Sequence, residues 1–209
     1  MILFPEDIPV SKRIFDLLLT CLGMILILPV MGIIAIIIWV TMGRPIMFRQ
    51  QRPGYRGKPI HVAKFRTMTE ARDQAGNLLP DKERITPLGR TLRTFSLDEL
   101  PELLSVLRGE MSLVGPRPLL MQYLERYTRE QARRHEVLPG ITGWAQVNGR
   151  NILTWEDKFR LDVWYVDHWS LRLDIKILVL TFWKVVTREG ISQPGHATAE
   201  EFMGSEQME

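Results

Sequence analysis

Cysteine is almost missing: Cys21 is the single one in 209 residues. An intrachain disulfide framework is therefore impossible, and no Cys/His spacing that would hold a metal occurs. A P-loop, a Rossmann glycine pattern, a serine nucleophile elbow and an HExxH metal helix are all lacking. Internal repeats and low-complexity stretches are lacking too. Zinc hydrolysis, dinucleotide redox chemistry and triad acyl transfer have no sequence support. The cysteine usage fits a cytosol-facing protein.

The chain is long enough for one sizeable core plus a membrane element. With 45% apolar and 24% charged residues it reads as folded. Its net charge of +3 conceals an asymmetry. Residues 44–160 carry 21 Lys+Arg against 13 Asp+Glu, and residues 161–209 carry 4 against 8. The basic middle suits an anionic partner such as a phosphate, nucleotide, lipid headgroup or nucleic acid; a solvated basic surface has the same composition.

From Leu17 to Met42 run 26 uncharged, mostly apolar residues, more than the roughly 20 a spanning helix needs. The run is too long for a signal-peptide core and has no evident cleavage site. Pro29 near its middle removes one backbone donor and leaves the Ile25 carbonyl without its helical partner. Basic residues flank both ends: Lys12 and Arg13 before, Arg44, Arg49, Arg52, Arg56 and Lys58 after. A spanning helix would strand one basic flank on the far side, whereas a re-entrant helix broken at Pro29 keeps both on the cytoplasmic face. The re-entrant form is the expectation. Asp16 at its edge can pair with Lys12 or Arg13, or bind backbone donors.

Beyond Gly43, Ile46–Gln50 and Ile60–Phe65 read as strands around the turn at residues 52–57. The stretch Gly76–Asp81 reads as a loop. Thr86-Pro87 is a helix start, with the helix running to about Thr94. The helix after it begins at Ser96 or, preferably, at Asp98, which would put Pro101 at a position that loses no hydrogen bond; Gly109 ends it. Leu119–Glu136 is read as one amphipathic helix with Leu120, Tyr123, Leu124 and Tyr127 on a face. Gly115-Pro116-Arg117-Pro118 and residues 139–143 are read as loops. Trp155–Trp169 and Leu173–Thr187 are read as helices. The second is too short to span and is either an interfacial or a core helix. The acidic tail from Glu200 is expected to be mobile. The fold class is α+β, mostly α: a membrane helix (1–43), a compact globular domain with a short β-hairpin and interfacial amphipathic helices (44–190), and a C-terminal segment (191–209).

Asp98 and Glu99 stand side by side at a helix start, with Arg90, Arg93, Arg108 and Arg117 around them in sequence. Acidic residues there commonly do no more than cap the helix. Two carboxylates beside cations also suit metal-assisted phosphoryl transfer: one binds a hard divalent cation, the other attacks phosphorus. The helix start and the arginines would keep the nucleophile ionised. Lys64, Arg66, Arg93, Arg117 and Arg150 are the candidate anion binders. Arg117, fixed between two prolines, suits bidentate phosphate contact, with a packed structural arginine as the alternative.

The stretches Phe95-Ser96-Leu97-Asp98-Glu99-Leu100-Pro101 and 107–119, together with Gln51-Arg52-Pro53-Gly54, Lys64-Phe65-Arg66-Thr67-Met68 and the run 139–151, resemble the bacterial sugar transferase family. The resemblance covers roughly residues 10–204 and several blocks in order. The family comprises monotopic phosphoglycosyl transferases that begin glycan assembly on polyprenyl phosphate. The resemblance implies a covalent mechanism with Mg2+: Asp98 takes the phosphosugar from a UDP-sugar, UMP leaves, and undecaprenyl phosphate receives the phosphosugar. Glu99, with Asp98, would bind Mg2+. Arg117 and Arg150 would hold phosphate, with Lys64 and Arg93 as further substrate-binding candidates. It implies the bacterial inner membrane, with the catalytic domain on the cytoplasmic face and no nucleic acid. The ending at 190–202 is similar to family members that use UDP-N,N′-diacetylbacillosamine, which points to an N-acetylated amino sugar. Where the family often has Ser before the central Pro, this chain has Leu28, so no side-chain hydroxyl assists a break there. The competing reading is a membrane-anchored basic module that binds anionic lipid or nucleic acid without catalysis.

Overall fold

The computed structural model describes residues 3–149, 153–187 and 201–204. In chain order the elements are α1 (Val10–Met42), β1 (Met47–Pro53), β2 (Pro59–Phe65), α2 (Asp81–Arg84), α3 (Pro87–Thr94), α4 (Leu103–Leu107), β3 (Ser112–Val114), α5 (Arg129–Ala132), β4 (Gly140–Thr142), α6 (Trp144–Asn148), α7 (Trp155–His168) and α8 (Leu171–Thr187). Single 310 turns connect several of them. The mostly helical α+β expectation holds.

α1 is 33 residues long, about 50 Å at 1.5 Å per residue. Pro29 lies inside this helix, where proline removes one backbone donor. A single stripe runs almost the length of the helix: Lys12, Arg13, Asp16, Thr20, Met24, Met31, Ile34 and Ile38 are buried. Met24 joins a core with Val106, Met111, Tyr165 and Ile177. Met31, Ile34 and Ile38 pack with Phe65 and Leu92. The opposite face leaves Leu22, Ile25, Leu26, Ile33, Ile36 and Val40 exposed.

Both ends of α1 are fastened to the same globular body. At the start, Arg13 donates to the carbonyls of Val106 (3.0 Å) and Met111 (3.1 Å), and Asp16 accepts from Ser112 Oγ (2.8 Å). Lys12 pairs with Asp174 of α8 at 2.7 Å, and Asp174 also accepts from Tyr165 and Trp169. At the end, the Arg66 guanidinium donates to the carbonyls of Met42, Gly43 and Arg44. Those carbonyls have no partner inside the helix, and a cation there also opposes the helix dipole.

β1 and β2 pair antiparallel from Met47↔Phe65 to Pro53↔Pro59, as the strand patterns predict. Thr86 caps α3, its side chain accepting from Gly89 N, again as expected. β3 and β4 form a parallel pair; the sequence reading placed β4 in a loop and assigned no element to residues 112–114. Three glycines explain how. A Cβ on Gly140 would lie 2.1 Å from the Gly115 nitrogen, one on Gly115 2.3 Å from the Leu138 carbonyl oxygen, and one on Gly143 2.2 Å from the Gly115 carbonyl oxygen. Bare backbones therefore meet where any side chain would separate them.

Two further expectations are corrected. The single helix over Leu119–Glu136 is instead a 310 turn (Met121–Arg126), then extended backbone at Tyr127, then α5. The cause is a capping box: Gln131 N donates to Thr128 Oγ1, and Thr128 N donates to Gln131 Oε1, which restarts the helix rather than continuing it. The tail is docked where it is described. Phe202 is buried against Tyr123, Tyr127, Trp155 and Phe159, and Arg126 pairs with Glu201.

Candidate active site

α3 ends at Thr94 with Phe95 as its C-cap, and Ser96 turns the chain with φ of 54°. A left-handed conformation is uncommon for a residue with a Cβ. It sends the backbone directly into a 310 turn, Leu97–Glu102, that continues into α4. The N-cap position is thus Ser96, the other of the two registers, rather than the preferred Asp98, and Ser96 makes no side-chain cap. Asp98 and Glu99 occupy its first turn.

Five of the six predicted site residues converge here. Lys64 Nζ on β2 lies 2.6 Å from Glu99 Oε1 and 3.3 Å from Glu102 Oε1. Arg117 engages both Glu99 oxygens, with Nη1 3.2 Å from Oε2. Arg93 Nε donates to Thr67 Oγ1 at 3.1 Å. It shares a cavity wall with Asp98 and Glu99. Arg150 lies outside the described residues. Arg66, the remaining anion-binder candidate with a described position, is committed to the end of α1.

The charges are unequally shared. Burial favours the neutral form of Glu99, but Arg117 and Lys64 outweigh it and hold the carboxyl well below the usual carboxylate range. Asp98 is buried, and burial pushes its carboxyl up. The adjacent Glu99 charge adds to that rise, and Lys64 and Arg93 offset it only in part. The cations expected to sustain an ionised Asp98 are thus spent mainly on its neighbour. Glu102 is also raised, by burial first and then by the nearby carboxylate.

Sequence reasoning missed three participants. Glu102 shares Lys64 with Glu99. Arg134 and Asp162 form a buried pair at 2.7 Å, and Arg134 Nη2 also donates to the Arg117 carbonyl at 2.8 Å. Arg134 thereby fixes the backbone that carries the Arg117 guanidinium. The available signal was Asp162 itself, a carboxylate three residues after Phe159 on the buried face of α7.

Two cavities meet at the dyad. One, of about 710 Å3, is walled by Glu99, Arg117, Arg134 and Gln146 and by apolar Ile27, Leu178 and Phe182. The other, of about 770 Å3, includes Asp98, Glu99, Lys64, Arg52 and Arg72. Arg93, Ser96 and Glu99 line both. Among the described residues no group of three or more His, Cys, Asp or Glu is placed to hold a metal ion.

Residues 8–188 match the family described as bacterial sugar transferase. An uncharacterized sugar transferase of Bacillus subtilis (strain 168) is 57% identical over 201 residues, covering 94% of this chain and 97% of that protein. A UDP-glucose:undecaprenyl-phosphate glucose-1-phosphate transferase of Klebsiella pneumoniae is 42% identical over 84% of this chain. A galactosyl transferase of Streptococcus agalactiae serotype III (strain NEM316) is 37% identical over 85% of it. The chain spans about two-fifths of the length of these last two, 40% and 42%.

Proposed function

The chain belongs to the bacterial sugar transferase family, and from that membership and its site we propose that it moves a sugar-1-phosphate from a UDP-sugar to undecaprenyl phosphate, releasing UMP. The protein is an enzyme, a phosphoglycosyl transferase. The observation that carries the reading is Asp98 beside Glu99, the latter held by Lys64 and Arg117. In this reading an Asp98 oxygen forms a bond to the donor's β-phosphorus. The bond from that phosphorus to the bridging oxygen breaks, and UMP leaves with the oxygen. A phosphate oxygen of the acceptor then attacks the same phosphorus, and the Asp98–phosphorus bond breaks. Asp98, Glu99 and the donor diphosphate would hold Mg2+, which when bound offsets phosphate charge. Lys64, Arg93 and Arg117 bind and orient the phosphates, and Arg150 completes that set.

The apolar cavity walls from α1 and α8 suit a lipid acceptor. α8 leaves Val179, Phe182, Trp183 and Val186 exposed, and one face of α1 is exposed and apolar throughout. These surfaces favour the interfacial role of α8 over a core one. α1 is long and apolar enough to cross a bilayer. Its attachment to one body at both ends supports a helix that enters and leaves the cytoplasmic leaflet of the inner membrane, with both basic flanks on one side. This favours the re-entrant topology, with its turn at Pro29, over a spanning one.

The sugar is the finer question. The ending of the chain suggests UDP-N,N′-diacetylbacillosamine, while two relatives are named for glucose and galactose. Purified protein with Mg2+, undecaprenyl phosphate and a panel containing all three donor types should release UMP with one of them. No release from any donor would refute the transferase reading. Salt-sensitive lipid or nucleic-acid binding independent of Asp98 would favour the binding module instead.

A further inference from the structure

Two cavities share the walls Arg93, Ser96 and Glu99, with Asp98 lining the polar one, which raises the question of which substrate occupies each. In a two-step transfer both substrates attack or leave along the same line through the phosphorus, opposite Asp98. Their phosphates must therefore use one place in turn, and the remainder of each molecule must diverge from it. The shared walls, Arg93, Ser96 and Glu99, mark that place. From there one cavity is walled by the lipid-side residues Ile27, Leu178 and Phe182. The other runs between the β1–β2 hairpin and the segment leading to α2 and has no residue of α1 or α8 in its wall.

Resting on the transferase reading above, we propose that this second, polar cavity is the nucleoside-monophosphate site, taking the uridine and α-phosphate of the donor and holding UMP before its release. Its cations differ in what they do. Lys64 is paired with Glu99, Arg84 with Asp81, and Arg66 with the end of α1. Arg52 donates only to the neutral Gln50 Oε1, at 2.6 Å, and has no carboxylate within ion-pair distance among the described residues. Burial and then the neighbouring Arg117 disfavour its charge, and Glu102 offsets this in part, so an anion placed against Arg52 in this cavity relieves a cost already present. Arg72 donates to the Gly76 carbonyl and likewise has no carboxylate partner among the described residues. Phe48 on β1 adds a ring at the same wall, 53% exposed and with no described aromatic contact. An exposed ring beside cations is the arrangement that stacks a base and holds its phosphate.

UMP is common to every UDP-sugar, so the test does not depend on the sugar. Titrate UMP into the full chain in nanodiscs, and compare Phe48→Ala and Arg52→Gln with the unaltered protein. Both should weaken UMP by about fivefold or more. With a donor that is turned over, both should raise the donor KM similarly while the KM for undecaprenyl phosphate stays within about twofold. Phe48 is exposed, so its truncation leaves a folded protein even where Arg52→Gln does not. Unchanged UMP affinity in Phe48→Ala, or a rise in the acceptor KM instead of the donor KM, would overturn the assignment. A chain that binds UMP in this variant-sensitive way but releases none from any UDP-sugar would confirm the cavity and refute the transferase reading.

Discussion

At the residue scale the dyad divides its labour through unequal pairing. Glu99 takes the cations, and Asp98 stays buried with a carboxyl pushed above its ordinary 3.8. A carboxyl with a raised folded-state pKa loses stability as pH rises through that value, because its ionised form is the disfavoured one. Asp98→Asn should therefore melt at or above the temperature of the unaltered protein while losing turnover by about three orders of magnitude or more. A thermal scan and a UMP-release assay check both halves; a lowered melting temperature would contradict the account. Glu99 behaves oppositely. Its stabilising contribution is present above its ordinary 4.5 and is lost only as pH falls through the lowered folded value. Hence the acid limb of the rate profile should titrate Asp98, with its midpoint above 3.8. Lys64→Met, which removes a charge that lowers Asp98, should move that midpoint further up. The residue types and most positions of this site were legible in sequence. The unequal sharing was not, because it depends on which oxygens the cations reach in space.

Elements explain why the site is held so firmly. Gly115, Gly140 and Gly143 let two loop-like stretches pair as β3 and β4, and this pairing seats Arg117. A methyl on Gly140 would overlap the Gly115 nitrogen. Gly140→Ala should cut turnover by about 100-fold, the cost of displacing a positioned group by roughly 1 Å, with destabilisation of about 2 kcal/mol or more. Kinetics and denaturant melts read the two effects. Hairpin and cap signals predicted β1, β2 and α3 well, since local chemistry decides them. β3 and β4 were hidden because each is three residues long and their partners are 28 positions apart. The Thr128 capping box was visible in sequence but outweighed by an apparent helical period. At the start of α1, Lys12→Met removes the ion-pair partner of buried Asp174, although Tyr165 and Trp169 still donate to it. The expected loss is about 3 kcal/mol, measurable by chemical denaturation; an unchanged midpoint would show that those two donors suffice.

For the whole molecule, the apolar run announced a membrane element, but only the structure shows that one stripe of it packs on the domain from Lys12 to Ile38. Sequence hydropathy does not register that stripe, because apolar residues serve lipid and core alike. With Cys21 replaced by Ser, single cysteines at Ser11 and Gly43 should be labelled from the same side of sealed inner-membrane vesicles. Labelling from opposite sides would establish a spanning helix. The central claim is covalent transfer through Asp98, and one measurement reaches it directly. Incubate the protein with Mg2+ and its UDP-sugar without acceptor, denature it, and map modified peptides by mass spectrometry. The account predicts a phosphosugar on the peptide containing Asp98, discharged when undecaprenyl phosphate is added before denaturation. An unmodified Asp98 peptide in a preparation that turns over both substrates would contradict it.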